Sequence, residues 1–345
     1  MTELGAGDVV VVVSYFRDGS RYPRAGPAAR QDAVYWANIA VHAATLRHVG
    51  ADDVRIEVHR GNDPTPPAAA LLEAAGVHLV RTPFAHQPPD GFFVRFAGSL
   101  YLLDTMADLA HRAHDDTVVL FVDPDVVWVA PPDGLVAAVR EHGTIAYDLG
   151  VPPDVRSGGL TPREEAAMYA ELTGRVAPDP PVHFGGECYG VLGADLRRLV
   201  ATAAPLWDAA LDRHDRGLPH HNVEEHVLDA ALWQLGVTRG RVNDHLERIM
   251  TLPLPFGSRQ RYRPELAAWH LPSEKTLGLR RVFDHLVAGR PLPPVDDGYH
   301  AWLRRRVGID RTPIHAWRDL TRTVKWTLTG EARAARARGQ VGLGL

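Results

Sequence analysis

Two carboxylates separated by one residue stand directly after an apolar run, where Asp123-Pro124-Asp125 follows residues 117–122. In an extended chain, side chains at i and i+2 point the same way. Close carboxylates repel each other unless a cation lies between them, so the pair suits a hard divalent metal. Such a metal keeps open positions that diphosphate oxygens can fill. The alternative is a simple turn, because Asp and Pro are common turn residues.

A second unusual segment is an apolar stretch, residues 182–192, that contains paired glycines followed by the carboxylate of Glu187. Glycine within a strand often marks a place where another group approaches the backbone closely. The segment is therefore predicted to be a strand beside a ligand. The alternative for Glu187 is a buried carboxylate that pairs with an arginine. Cys188, the next residue, is interpreted as a small buried hydrophobe.

A third segment places Glu224 and Glu225 at the start of a predicted helix over residues 223–235. Acidic residues there also interact favourably with the helix dipole, so their position alone does not require chemistry. His221 and His226 are five residues apart and do not share a helix face, which excludes a helical zinc-protease motif.

The elements that must hold these residues alternate between strand and helix in the first half. Strands are predicted at residues 9–14, 54–59, 77–80 and 117–122, with helices between them that include residues 28–49 and 93–110. This order favours an α/β fold with a mostly parallel sheet covered by helices. Ligands of such sheets bind outside the carboxyl ends of the strands, which is where Asp123 and Asp125 fall.

Composition limits the function classes. The 345 residues carry a net charge of −4, which argues against a nucleic-acid partner held by bulk charge. No apolar run reaches the length of a membrane helix, and no secretory signal is seen, so a cytoplasmic protein is expected. Residues 317–338 mix tryptophans with arginines and could contact an anionic membrane. A solvent-facing or oligomer-facing helix is favoured over that membrane contact.

The segment VVLFVDPDVVWVAPPDGL, residues 118–135, resembles the D-x-D segment of GT-A-fold, nucleotide-sugar-dependent glycosyltransferases. The resemblance covers residues 8–285 and implies a GT-A-like fold. It implies Mn²⁺ or Mg²⁺ on Asp123 and Asp125, a nucleotide-sugar donor, of which a UDP-sugar is favoured, and a small-molecule or glycan acceptor. We predict a catalytic domain over residues 1–290, with a nucleotide-binding half (1–130) and an acceptor half (131–290). Residues 291–345 are predicted to be a helical appendage and tail.

The resemblance also assigns the donor pocket. Tyr15 and Phe16 fall at the end of the first strand, where such enzymes hold the nucleobase and ribose, and an aromatic face can stack a base. Arg95 is predicted in or just before a helix that faces the same pocket, where a guanidinium suits a diphosphate or sugar hydroxyls. The alternatives are core packing for the aromatic residues and a surface position for Arg95.

Further assignments come from two subtypes of these enzymes. By the resemblance, Glu187 faces the donor sugar and the acceptor. Residues 224–229 resemble the D-E-x-x-L-N pattern of blood-group-type retaining transferases, although Asp229 departs from it. The match implies that Glu225 acts at the anomeric carbon as a nucleophile or as electrostatic support.

The segment 269–275 resembles the end of the glycogenin-type catalytic domain. There a histidine binds the metal and a lysine meets the diphosphate, which implies these roles for His270 and Lys275. The spacing here is one residue shorter than the usual form, and the intervening glycine is replaced.

We therefore predict a metal-dependent glycosyltransferase that retains configuration at the anomeric carbon. One alternative is a nucleotidyltransferase that releases pyrophosphate, for which residues 17–24 are a partial match to a glycine-rich basic loop. The other alternative is a non-catalytic protein that binds a nucleotide or sugar.

Overall fold

The computed structural model of the chain describes residues 3–17, 30–93, 96–251, 263, 265–310 and 312–329. The strands in these ranges are β1 Val9–Tyr15, β2 Arg55–Arg60, β3 His78–Arg81, β4 Val118–Val122, β5 Val126–Trp128, β6 Thr144–Asp148, β7 Phe184–Leu192, β8 Leu246–Arg248 and β9 Ala268–His270.

The α-helices in the same ranges are α1 Gln31–His48, α2 Pro66–Ala74, α3 Tyr101–Arg112, α4 Asp133–His142, α5 Pro162–Thr173, α6 Gly193–Asp215, α7 Glu224–Gln234, α8 Gly278–Val287, α9 Asp297–Arg306 and α10 Pro313–Thr329.

A six-stranded sheet in the order β3-β2-β1-β4-β7-β6 forms the centre of the fold. Strands β3, β2, β1 and β4 run parallel, and β7 runs antiparallel to both β4 and β6. A small second sheet has the order β5-β9-β8. The predicted α/β architecture, a mostly parallel sheet flanked by helices, is confirmed.

The all-valine run of β1 shows why this strand lies at the centre. Val11 and Val13 belong to one hydrophobic cluster, which includes α1, whereas Val10 and Val12 belong to a second cluster, which includes α3 and α6. All four side chains are fully buried. A strand that is covered by helices on both faces needs apolar residues at every position, not at alternate ones.

The segment Asp123-Pro124-Asp125 connects β4 of the large sheet to β5 of the small sheet. Strand β9 pairs antiparallel with β5, and Val126 lies opposite His270 in that register. The junction between the two sheets therefore brings His270 next to the paired carboxylates.

Two helix boundaries differ from the predictions. The helix predicted over residues 28–49 begins at Gln31, and the one predicted over 93–110 consists of a 3₁₀ turn, Ala97–Leu100, followed by α3. Phe96, directly before this turn, has a left-handed backbone with φ of 60°. A bulky residue in that conformation interrupts the helical path, so the regular helix starts later than the apolar spacing predicts.

Part of the C-terminal segment packs on the main core. Tyr299 and Leu303 of α9 are fully buried in the same cluster as α1, and the Tyr299 hydroxyl donates to the backbone oxygen of Trp128 at 2.9 Å. The boundary at residue 290 stays a prediction. Among the helices that the structure describes, none is both long and apolar enough to cross a membrane.

Candidate active site

Asp123, Asp125 and His270 bring three potential metal-ligand atoms together at the carboxyl end of β4. Their ligand atoms all lie within 4.8 Å of one another. The Nε2 atom of His270 is 3.3 Å from Asp123 Oδ2 and 3.1 Å from Asp125 Oδ2. The side chain of Asp125 is fully buried, whereas that of Asp123 is 39% exposed to the adjacent cleft. One side of the group is thus closed by protein, and the other is open to a ligand.

Backbone hydrogen bonds hold this loop from both neighbouring strands. The Asp123 amide donates to the backbone oxygen of Glu187 on β7 at 3.1 Å. The Leu271 amide, just after β9, donates to the backbone oxygen of Asp125 at 3.0 Å. The two carboxylates are therefore fixed by the ends of the large and the small sheet together.

Lys275 supplies a cation directly beside this group. Its Nζ atom lies 2.5 Å from Asp125 Oδ1 and 5.4 Å from the centre of the Tyr35 ring. Burial by itself would raise the pKa of Asp125, but Lys275 and His270 hold that pKa well below its usual range. Burial, together with the nearby Asp125 carboxylate, raises the pKa of Asp123 to about 7 despite the opposing charge of His270.

The donor atoms fit a divalent cation. Adjacent oxygen ligands around an octahedral Mg²⁺ lie roughly 2.9 Å apart, close to the separations between His270 Nε2 and the two carboxylates. Both ring nitrogens of His270 are buried, and neither makes a hydrogen bond of good geometry within the described residues. Two carboxylates and one imidazole also suit Mn²⁺ chemically. Asp123, Asp125 and His270 would hold the ion.

A cleft of about 250 Å³ opens above this group. Tyr15, Phe16 and Tyr35 contribute to one part of its lining, and Glu187, Glu224 and Glu225 contribute to another. The structure thus brings most of the predicted site residues to one cavity. Arg95 lies outside the described residues.

The two aromatic residues predicted to hold a base line the cleft and also pack against protein. Tyr15 stacks on Tyr35 with ring centres 5.1 Å apart, and its hydroxyl donates to Asp32 at 2.5 Å. The ring of Phe16 lies 4.7 Å from that of Phe84. The sequence left core packing and a position in the donor pocket as alternatives for these two residues. In the structure, both residues pack against other aromatic rings and also line the cleft.

Glu224 and Glu225 start α7 and turn toward the cleft. Glu225 Oε1 accepts a hydrogen bond from the Gly186 amide at 3.0 Å, and Glu224 accepts one from the Ser99 hydroxyl. Burial and the neighbouring Glu225 raise the pKa of Glu224 to about 8. Burial also raises the pKa of Glu225, whereas the charge of His183 opposes that shift. A carboxylate at the start of α7 therefore bonds directly to the backbone of β7.

A buried histidine that the sequence pattern did not reveal lies behind Glu225. His183 Nδ1 lies 2.5 Å from Asp229 Oδ2, and its Nε2 atom lies 3.7 Å from Glu225 Oε2. Although burial opposes a charge, the carboxylates of Asp229 and Glu165 raise the pKa of His183 to about 10. A cationic His183 balances part of the negative charge around Glu225. Its position just before the glycine pair was the one local signal.

Glu187 pairs with Arg248, an arginine that the sequence did not identify. Glu187 Oε1 lies 3.3 Å from Arg248 Nη1 and 3.3 Å from His270 Nδ1. Arg248 ends β8, a three-residue strand, and pairs in register with His270. The alternative raised from the sequence, a buried glutamate beside an arginine, describes this contact, although Glu187 also borders the cleft.

No family model and no curated protein matches this sequence. Among solved structures, the chain is similar to an active-site mutant of LgtC, with 15% identity over 84% of this chain and 99% of that one, at a TM-score of 0.50. The galactosyltransferase LgtC in complex with donor and acceptor sugar analogs is 16% identical over 83% and 97%, at a TM-score of 0.49. Mouse xyloside xylosyltransferase 1 is 10% identical over 76% and 97%, at 0.44. The likeness to the LgtC mutant shows that this chain has the GT-A-like fold predicted from its sequence.

Proposed function

We propose that the protein is a metal-dependent glycosyltransferase that moves a sugar from a nucleoside-diphosphate sugar to an acceptor hydroxyl, with retention of configuration. The observation that carries the proposal is the group formed by Asp123, Asp125 and His270 beside Lys275, at the floor of a cleft. The shared fold supports it, because LgtC, a galactosyltransferase, has been crystallised with donor and acceptor sugar analogs.

The residues around the cleft supply complementary charges. When bound, Mn²⁺ or Mg²⁺ neutralises the negative charge of the diphosphate. The ammonium of Lys275 stabilises the leaving oxygen as the bond between the anomeric carbon and the diphosphate breaks. The acceptor oxygen forms the new bond to that carbon, and the proton of the acceptor hydroxyl passes to the departing diphosphate oxygen. The products are the glycosylated acceptor and a nucleoside diphosphate.

Glu225 is the candidate carboxylate for the anomeric carbon. The Gly186 amide and the His183 imidazole hold it at the cleft. There its negative charge stabilises the positive charge that develops at the anomeric carbon in the transition state. The same carboxylate is available as a nucleophile in a double displacement, which retains configuration. Tyr15 and Phe16 are the proposed contacts for the base and ribose.

The test is donor hydrolysis and transfer with a panel of nucleotide-sugars, a UDP-sugar first, with Mn²⁺ and with a chelator. We expect metal-dependent release of a nucleoside diphosphate, reduced at least about 100-fold in Asp125→Asn. Asp116→Asn is the matched control, because Asp116 is exposed and lies just before the first residue of β4, whereas the candidate ligands follow its last residue. Pyrophosphate release from a nucleoside triphosphate would favour a nucleotidyltransferase instead. Nucleotide binding without any turnover would favour a non-catalytic protein.

A further inference from the structure

The side chain of Glu187 lies behind the candidate metal ligand His270. It is 4% exposed, and its Oε1 atom lies 3.3 Å from His270 Nδ1. The other ring nitrogen, Nε2, faces Asp123 and Asp125. The two nitrogens of this one ring therefore have different partners: a single buried carboxylate on one side and the candidate metal position on the other.

This arrangement determines which nitrogen of His270 can bind an ion. An imidazole that donates its Nδ1 proton to a carboxylate presents the lone pair of Nε2. A carboxylate behind a metal-binding histidine fixes the orientation and tautomer of the ring and makes it a stronger ligand. Glu187 lies on the Nδ1 side of the ring, at 3.3 Å in an ion-pair contact rather than a well-aligned hydrogen bond, whereas Asp123 and Asp125 lie on the Nε2 side.

Arg248 orients the Glu187 carboxylate from the other side. Its Nη1 atom lies 3.3 Å from the same Glu187 oxygen that approaches His270. The Arg248 amide donates to the Tyr147 hydroxyl at 3.2 Å, which ties β8 to β6. The backbone of Arg248 is therefore tied to both sheets, and it lies opposite His270 in the pairing of β8 with β9.

Gly185 of β7 provides the space for this carboxylate. A Cβ atom added at Gly185 would overlap the Glu187 Oε2 atom and approach the Leu149 side chain within 2.8 Å. The backbone of Gly185 needs no left-handed conformation, so steric space is the reason for a glycine at this position. A side chain at this position would require the Glu187 carboxylate to shift.

We infer that Glu187 is a positioning residue for the metal ligand His270, with Arg248 orienting its carboxylate, and that it does not act mainly on the sugars. The inference rests on the proposed function, since it assigns a role within the same metal site. It predicts that loss of the Glu187 charge weakens metal binding even when no nucleotide or sugar is present. Removal of such a partner typically reduces metal affinity about 10–100-fold.

The experiment measures Mn²⁺ affinity of the nucleotide-free protein, from the electron paramagnetic resonance signal of free Mn²⁺. Wild type, Glu187→Gln and the control Glu247→Gln are compared. Glu247 is also buried, lies one residue before Arg248, and accepts a hydrogen bond from the Arg263 amide at 2.9 Å, away from His270. We expect Glu187→Gln to bind Mn²⁺ about 10–100-fold more weakly and the control to bind as wild type does.

Each other outcome overturns a defined claim. If a folded Glu187→Gln protein binds Mn²⁺ with wild-type affinity, the positioning role of Glu187 is overturned, but the metal site is not. An accompanying fall in sugar transfer would then indicate that Glu187 contacts the sugars. If the wild-type protein itself binds no Mn²⁺, the metal site falls, and this inference falls with it. Glu187→Asp, which withdraws the carboxylate by one methylene, gives the same comparison if the glutamine variant does not fold.

Discussion

The variant Lys275→Met distinguishes between two possible roles of Lys275: binding of the diphosphate and organisation of the metal site. The methionine side chain has nearly the length of lysine, so the substitution removes the charge with little change in packing. Lys275 Nζ lies 2.5 Å from Asp125 Oδ1, and its side chain is 11% exposed at the cleft. The variant thus removes a positive charge that lies next to both the proposed ion position and the proposed diphosphate position.

The substitution should weaken the binding of a nucleoside diphosphate but not the binding of Mn²⁺. One hydrogen bond to a charged group contributes about 2 kcal/mol, so a nucleoside diphosphate should bind about 30-fold more weakly to Lys275→Met. Mn²⁺ alone should bind at least as tightly as to wild type, because a like charge beside the ion is removed. Asp125 keeps His270 as a partner at 3.1 Å and remains available as a ligand.

The assay is isothermal titration calorimetry with a nucleoside diphosphate at saturating Mn²⁺, together with a Mn²⁺ titration of the nucleotide-free protein. Arg280→Met is the control, because Arg280 is half-exposed on α8 and pairs with Asp284 outside the cleft. The reasoning is refuted if Lys275→Met binds the nucleotide within about 3-fold of wild type, a difference below 1 kcal/mol. It is also refuted if Mn²⁺ affinity falls as far as nucleotide affinity does.

Three further predictions concern other buried charges. Glu225→Gln should lower kcat about 100-fold or more while donor KM stays within about 3-fold. A rise in donor KM as large as the fall in kcat would contradict its transition-state role. Glu57 is fully buried and meets Arg112 Nη2 at 2.7 Å, so Glu57→Gln should lower the free energy of unfolding by about 3 kcal/mol in urea titrations without changing Mn²⁺ affinity. The pKa of His183 is raised to about 10, so its pairing with Asp229 stabilises the fold fully below pH about 6.5 and progressively less as pH rises through about 10. The stability difference between wild type and His183→Gln should therefore shrink from pH 7 to pH 9.5, and a constant difference would contradict the ion pair.

Much of the fold could be predicted because its signals are local. The valine run of β1 requires burial on both faces, and the turn at Gly50 ends the helical pattern of α1 near the position where the structure ends it. The boundaries were less predictable where the backbone departs from regular geometry, as at Phe96. A left-handed residue leaves no mark in the apolar spacing from which a helix is inferred.

The candidate site divides in the same way. Asp123 and Asp125 carry a local signal, because a pair of carboxylates directly after a buried strand is unusual for packing alone. His183 and Arg248 carry almost none, since their surroundings come from Asp229 on α7 and from Glu187 on β7. A histidine or an arginine in a sequence rich in both cannot be assigned to a partner until the strands are placed.

The pairing of β5 with β9 explains how the Asp123-Pro124-Asp125 segment becomes part of a larger group of polar side chains. The D-x-D segment alone offers two carboxylates, which is too few ligands to select a place for an ion in a chain with many acidic residues. The antiparallel register that sets Val126 opposite His270 adds an imidazole nitrogen beside the two carboxylates, and Lys275 follows five residues later with an ammonium group. The turn residue Pro124 makes the crossing from the large to the small sheet possible, because it breaks the strand between the carboxylates. The local motif thus determines which kind of ligand atom is present, whereas sheet pairing determines how many such atoms meet. Spacing within the chain indicates only the first of these, and His270 could be named from the sequence only because residues 269–275 resemble a known family.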